Sequence, residues 1–336
     1  MKKNADWWHN EGDVTCCDLC PHACRVPDGK TGRCGVRRNI GGTLFAENYG
    51  RVSSVSMDPV EKKPLYHWRP GTRVLSFGTV GCSMACPFCQ NWEIASWEPT
   101  IVLREMTVRD VVHLAVLHDA RAVAFTYNEP LVWYEFVEEC SAALRNAGIT
   151  VVLVSNGMIR ESPLRKMIPF LSAANIDVKS FDPDIYRFLG GDLETVVRNV
   201  ELLHAAGIHT EITTLVVPNI SDDIAIFDRE IAWLASVSPD IPLHVTRYFP
   251  RHLWTKAPTT ELLLEEMVRR AKKVLRYVYA GNIDHRTDSR CPDCDALLVA
   301  RKGYDVSIVA LRSDGTCAEC GRRLPFIQED KGTRHP

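Results

Sequence analysis

Cysteine thiolates are the side chains best suited to hold iron or zinc, and twelve of the thirteen cysteines in this 336-residue chain fall into three groups. The central group, Cys82, Cys86 and Cys89, lies in the segment GTVGCSMACPFCQNW with the spacing Cys-x3-Cys-x2-Cys. Three thiolates on one short loop can hold three corners of a cubane cluster and leave the fourth iron open, whereas an electron carrier would usually supply a fourth cysteine. A structural zinc would also want a fourth ligand. The spacing therefore points to a [4Fe–4S] cluster with a free coordination site, a catalytic arrangement.

The N-terminal group, Cys17-x2-Cys20-x3-Cys24-x9-Cys34, supplies four ligands to one site, with Cys16 and His22 as alternates. It suits a second four-iron cluster for electron entry or a structural zinc, and spacing does not decide between them. The need of small Gly-rich segments for a metal in order to fold favours the structural role. The C-terminal set, Cys291-x2-Cys294-x22-Cys317-x2-Cys320, reads as paired knuckles of a ribbon holding zinc or a single iron through four thiolates, with a structural or partner-docking role. Cys140, on an apolar helix face, reads as a small core residue.

The elements that must position the central loop are βα repeats. RVLSFGTVG, AVAFTYN, ITVVLVSNG, NIDVKS, HTEITTLVVP, PLHVTRY and RYVYAG alternate with amphipathic stretches that follow Thr107, run from Leu131 to Ala147, start at Ser162, run from Glu194 to Ala206 and from Ser221 to Ala235, and start at Thr259. The expected fold is α/β, a partial or full (β/α) barrel over residues 71–285, with its chemistry where the strands end. A Cys-rich N-terminal segment, residues 1–70, and a four-cysteine ribbon, residues 286–330, flank it. The tail QEDKGTRHP reads as disordered.

Composition excludes several partners. With 40 basic and 42 acidic residues the net charge is -2, which leaves no electrostatic footprint for nucleic acid. No stretch approaches the ~20 apolar residues of a membrane span, and MKKNADWWHNEGD lacks the apolar core of a signal peptide. A cytoplasmic location follows as an expectation, and thiols kept reduced there argue for metals over disulfides. Tyr66 and Trp68 in LYHWRPGTR are expected to pack under the N-terminal segment. Asp58, Glu61, Lys62 and Lys63 suggest a turn with a solvated face. Arg247, Tyr248 and Arg251 are candidates for an anionic group, with surface ion pairing as the alternative.

The loop Cys82-x3-Cys86-x-Phe88-Cys89, placed after the first strand of a βα series, resembles the signature of the radical S-adenosylmethionine (SAM) enzymes. That resemblance implies a [4Fe–4S] cluster whose open iron chelates SAM. It also implies reductive cleavage of SAM to a 5′-deoxyadenosyl radical that abstracts hydrogen from a substrate, and a flavodoxin- or ferredoxin-type reductant. It assigns SAM contacts to Phe88 by the adenine and to Glu129 at the amino group, where Thr126-Tyr127-Asn128-Glu129-Pro130 resembles a Gly-Gly-Glu element with Asn128 in place of glycine. It further assigns Ser155, Asn156, Asp177 and Lys179 at the ends of the next two strands, and His244. Ser155 stands where pyruvate formate-lyase activating enzymes carry an acidic residue. The ordered segments CDLCPHAC, DPVEKKPLYH, GTVGC, PFCQNWEI, TYNEP, IDVKSF, TTLVVPN and YVYAGN resemble more narrowly the radical SAM proteins of the AmmeMemoRadiSam system, a group that is pyruvate formate-lyase activating enzyme-like. The substrate is open: a small molecule, a protein, or the glycine-bearing loop of a glycyl-radical enzyme. The ferredoxin-like cysteine inserts common in glycyl-radical activases are not seen between Cys89 and Cys140. A non-catalytic metal-binding scaffold is the competing class, and no residue stands out as a catalytic acid or base.

Overall fold

The computed structural model describes residues 2–97 and 101–328. Its centre is one eight-stranded sheet in which every strand pairs with its sequence neighbours. Ser54–Pro59 (β1) runs antiparallel to Arg73–Gly78 (β2), and from β2 onward all pairs are parallel. The others are Ala122–Phe125 (β3), Thr150–Ser155 (β4), Ala173–Asp177 (β5), His209–Val216 (β6), Leu243–Arg247 (β7) and Val278–Gly281 (β8). The edges β1 and β8 are not bonded to each other, so the sheet is an open, partial barrel. All seven expected strands are present, because a parallel strand covered on both faces reads as a near-continuous apolar run.

The helices Val108–Leu117 (α1), Tyr134–Asn146 (α2), Glu161–Met167 (α3), Pro183–Phe188 (α4), Leu193–Ala205 (α5), Ile224–Val237 (α6) and Glu261–Ala271 (α7) fill the crossovers. Side-chain caps at Thr107, Asp182, Asp192, Asp223 and Thr260 satisfy backbone N–H groups that the first turns would otherwise leave unpaired.

Alternation along β6 separates two environments. Thr214 faces outward, bonding Glu230 of α6, while Glu211 and Thr213 face inward, where Thr213 bonds Asn175 of β5 at 3.0 Å. Segment 60–68 plugs the inner floor. Trp68, Leu65 and Val60 pack against Val74, Ala122, Ala124, Val152 and Ala173. The buried Glu211 carboxylate ties this plug down, accepting from the backbone N–H groups of Tyr66 (3.0 Å) and His67 (2.7 Å) and from His209 (2.9 Å) and His244 (2.7 Å).

Several expectations change here. Tyr66 does not lie under the N-terminal segment. Its ring sits 4.6 Å from that of His244 and under the guanidinium of Arg301, which belongs to the C-terminal ribbon. Asp58, Glu61 and Lys63 are not solvated but buried, and only Lys62 of that run is exposed. The reason is the unforeseen strand β1, which carries the end of the expected 1–70 unit into the barrel. Residues 3–46 form two small antiparallel sheets of their own, docked through the buried pair Arg37–Glu135 at 2.8 Å, while Arg51–Val52 pairs with Arg104–Glu105. The ribbon is built from Ser289–Arg290, Leu297–Lys302 and Asp305–Ile308. The expected disordered tail lies outside the described residues beyond Gln328.

Removing the plug's largest side chain should leave a cavity that the barrel floor cannot close. Trp68→Ala is expected to destabilise the fold by about 3–5 kcal/mol in denaturant unfolding, and an unchanged midpoint would contradict the packing described here.

Candidate active site

The loop after β2 carries the three central cysteines, and its backbone is clamped from several sides. The Asn128 amide accepts from the Thr79 N–H (3.0 Å) and donates to the Gly81 carbonyl (2.7 Å). Asn91, two residues past Cys89, donates to the Tyr127 carbonyl. The His22 ring meets the Ser83 carbonyl at 2.7 Å, Ala85 donates to Leu189 O (2.8 Å), and Leu253 donates to Pro87 O (2.9 Å). Gly81 has φ +92, and a Cβ there would sit 2.7 Å from the Cys34 carbonyl oxygen, so only glycine admits this approach.

All three cysteines are partly exposed as residues. Cys82 Sγ accepts from the Met84 N–H at 3.4 Å and the Asn156 amide at 3.6 Å. Burial pushes the Cys86 thiol up to about 11 and raises Cys82 and Cys89 as well, while the Lys179 ammonium counters it at Cys86 and Cys89. These groups ionise only with a cation to compensate, as metal ligands do. Among the described residues no three of these sulfurs gather within the 4.8 Å of one another that a single ion would draw together. Three thiolates spread on one loop, with N–H groups aimed at Cys82, fit a cubane cluster better than one zinc ion.

Around the loop stand the ends of β3, β4 and β5. The Glu129 carboxylate is buried. One oxygen accepts from the Leu131 N–H (2.9 Å) and the Ser155 hydroxyl (2.8 Å), the other from the Asn156 N–H (2.8 Å). Burial nevertheless pushes its pKa up to about 7. A carboxylate has room for about four hydrogen bonds, so the second oxygen keeps capacity for a cationic donor. Asn156 reaches Ser83 Oγ (3.2 Å) as well as Cys82. Asp177 and Lys179 form an ion pair at 2.9 Å. Although burial works against its charge, Asp177 and the neighbouring Cys86 raise the Lys179 ammonium above its ordinary value. Phe88 is buried in the main core.

The structure thus brings Cys82, Cys86, Cys89, Glu129, Ser155, Asn156, Asp177 and Lys179 to one end of the sheet. Two expected contacts differ. Both polar ends of Asn128 are used on the loop backbone, which makes it a brace. His244 is engaged with Glu211, Tyr66 and Tyr279, near the floor plug, because it lies near the start of β7 and not at its end. Arg247 is likewise spent on Thr259 O and Glu261, and buried Tyr248 donates to Trp254 O. Sequence reading missed Asn91, which stands directly in the CQNW run, and the group Asp58, Lys63 and Tyr127, which DPVEKKP contained without revealing that it was buried.

This chain is similar to known proteins in sequence. Residues 76–229 match the family model of the radical SAM superfamily. An uncharacterized protein of Methanocaldococcus jannaschii is 36% identical over 319 residues, covering 93% of this chain and 95% of the relative. The 7-carboxy-7-deazaguanine synthase of the same organism is 22% identical over 187 residues, covering 50% and 74%. A domain of a pyruvate-formate lyase-activating enzyme from Bacteroides vulgatus superposes with a TM-score of 0.42 at 19% identity, covering 48% of this chain and 98% of that one. No helix among the described residues is long and apolar enough to cross a membrane. The cysteine loop at the end of the first parallel strand, the carboxylate and amide groups converging on it, and the family match over those strands together place this chain in the radical SAM superfamily of enzymes.

Proposed function

We propose that the chain cleaves SAM reductively at a [4Fe–4S] cluster held by Cys82, Cys86 and Cys89, as the radical SAM member of an AmmeMemoRadiSam system, drawing its electron from a flavodoxin- or ferredoxin-type donor. The observation that carries this reading is the convergence of Glu129, Asn156, Asp177 and Lys179 on the three-cysteine loop. When bound, the cluster and SAM would supply a 5′-deoxyadenosyl radical for hydrogen abstraction from the substrate.

The chain's own residues have separable tasks. Glu129 offers a buried carboxylate to the SAM ammonium, a charge-assisted contact of the stronger kind, while Ser155 and the Asn156 N–H fix its orientation. The Asp177–Lys179 pair lies beside Cys86 and Cys89, where it can meet the polar parts of SAM. Asn128 and Asn91 hold the loop rigid, and Phe88 fills the space beneath it. The substrate, a small molecule or a protein, is approached from the open strand ends. At the far end of the chain, Cys291, Cys294, Cys317 and Cys320 gather all four sulfurs within 4.8 Å, with pairs at 3.6 and 3.7 Å. A tetrahedron of sulfurs about 2.3 Å from one ion has edges of roughly 3.8 Å, so this set fits one zinc or iron ion and acts as a structural staple.

Anaerobically reconstituted, reduced protein given SAM should form 5′-deoxyadenosine, and Cys86→Ala should not. Equal yields from both would overturn the reading. SAM affinity should be pH-dependent with a definite sign. The Glu129 pKa is raised to about 7, its anion is the form that attracts ammonium, and so binding should be full above pH 7 and weaken as pH falls below it. Glu129→Gln should weaken binding about 10- to 100-fold at pH 8 and flatten that dependence, read by equilibrium binding to the cluster-loaded protein. An unaltered affinity would remove Glu129 from the contact. Cys317→Ser should lose one equivalent of zinc or iron by elemental analysis and lower the melting temperature, and retained metal would contradict the four-thiolate site.

A further inference from the structure

The N-terminal cysteines make a site of a different kind from the ribbon. Cys17, Cys20, Cys24 and Cys34 all line one small, largely enclosed cavity. Cys16 is not part of it. On the strand Val14–Cys17 successive side chains point to opposite faces, and the Cys16 sulfur lies instead 3.9 Å from the Arg25 guanidinium. His22 borders the cavity, with one ring nitrogen taken by the Ser83 carbonyl.

Three observations identify the occupant. First, the Cys24 sulfur accepts the Arg33 main-chain N–H at 3.4 Å, and main-chain N–H groups of Leu19, His22 and Val36 favour the thiolate forms of Cys17, Cys20 and Cys34. Such outer hydrogen bonds orient and stabilise thiolate ligands. Second, among the described residues no three of these sulfurs approach within 4.8 Å of one another, although the ribbon's four do. Zinc needs edges of roughly 3.8 Å, whereas thiolates standing outside the iron corners of a cubane lie roughly 6 Å apart. Third, Arg37 lines the cavity fully buried. Its other nitrogens bond Glu135 and the Asp6 carbonyl, but its Nε has no partner. A buried donor without an acceptor is costly, and an anionic cluster of thiolate and sulfide supplies one.

We propose that Cys17, Cys20, Cys24 and Cys34 hold a second [4Fe–4S] cluster, closed by four thiolates and packed directly against the Cys82 loop. The contacts Cys34 O to Gly81 and His22 to Ser83 put the two cysteine sets back to back, the position of an electron-entry centre. This rests on the reading above only for the identity of the neighbouring centre.

The test counts iron, acid-labile sulfide and zinc on the full chain purified and reconstituted without oxygen. Wild type should carry about eight irons in clusters by Mössbauer spectroscopy, with a single zinc or iron in the ribbon besides. The variant Cys82→Ala/Cys86→Ala/Cys89→Ala should keep about four, with a reducible electron paramagnetic resonance signal that SAM does not alter. Adding Cys20→Ala and Cys34→Ala should abolish that signal. If the triple variant holds no cluster iron and a second zinc appears, the proposal fails in favour of a zinc staple. Should the five-cysteine variant not fold, the wild-type count of eight or four decides alone. A wild type with four irons, all kept by the triple variant, would instead overturn the assignment of the Cys82 loop.

Discussion

The active end of this molecule depends on one strained residue. Tyr127 follows β3 with φ +75, a left-handed backbone that costs a non-glycine residue about 1–2 kcal/mol. Its hydroxyl donates to the Asp58 carboxylate at 2.5 Å, and the Lys63 ammonium sits 4.3 Å over its ring while pairing with the same carboxylate at 2.7 Å. These contacts offset the strain. The turn they enforce aims the two following side chains in different directions, Asn128 onto the backbone of the cysteine loop and Glu129 onto the end of β4. Gly78 completes the fit, since a Cβ there would meet the Tyr127 ring at 2.9 Å.

The same logic runs through the barrel interior. The Asp58–Lys63 pair, and the Glu211 carboxylate held by hydrogen bonds from His209 and His244, place charge where water is excluded. Buried pairs of this type add little net stability, but breaking one strands a charge and is severely destabilising. They fix orientation. Asp58 positions Tyr127, and Glu211 seats segment 66–67, which in turn carries the ribbon through the hydrogen bond of Arg301 to Tyr66 O. The four-cysteine ribbon, the floor plug and the sheet end that carries the cysteine loop are thus mechanically continuous.

Much of this was legible in the sequence. Seven parallel strands declared themselves by apolar runs such as TVVLVS, and the cysteine spacing with the polar residues ending those runs marked the candidate site. What stayed hidden shares a cause. β1, SVSMDP, is a polar-looking edge strand, and DPVEKKP reads as solvated unless it is known that Asp58 and Lys63 neutralise each other inside the barrel. His244 was expected beside the cysteine loop and lies instead near the start of its strand, since strand composition does not say at which height of a short strand a residue sits. Asn128 was placed at the right position but with a different task, because whether an amide meets a ligand or a backbone is decided by a loop that approaches from elsewhere in the chain.

The central claim is that SAM binds the open iron of a cluster on Cys82, Cys86 and Cys89, and electron-nuclear double resonance of the reduced protein tests it directly. With SAM labelled by ¹⁵N at the amino group and ¹⁷O at the carboxylate, the account predicts hyperfine coupling of both nuclei to the cluster. Coupling of neither, in protein whose cluster on the Cys82 loop is confirmed, would contradict it.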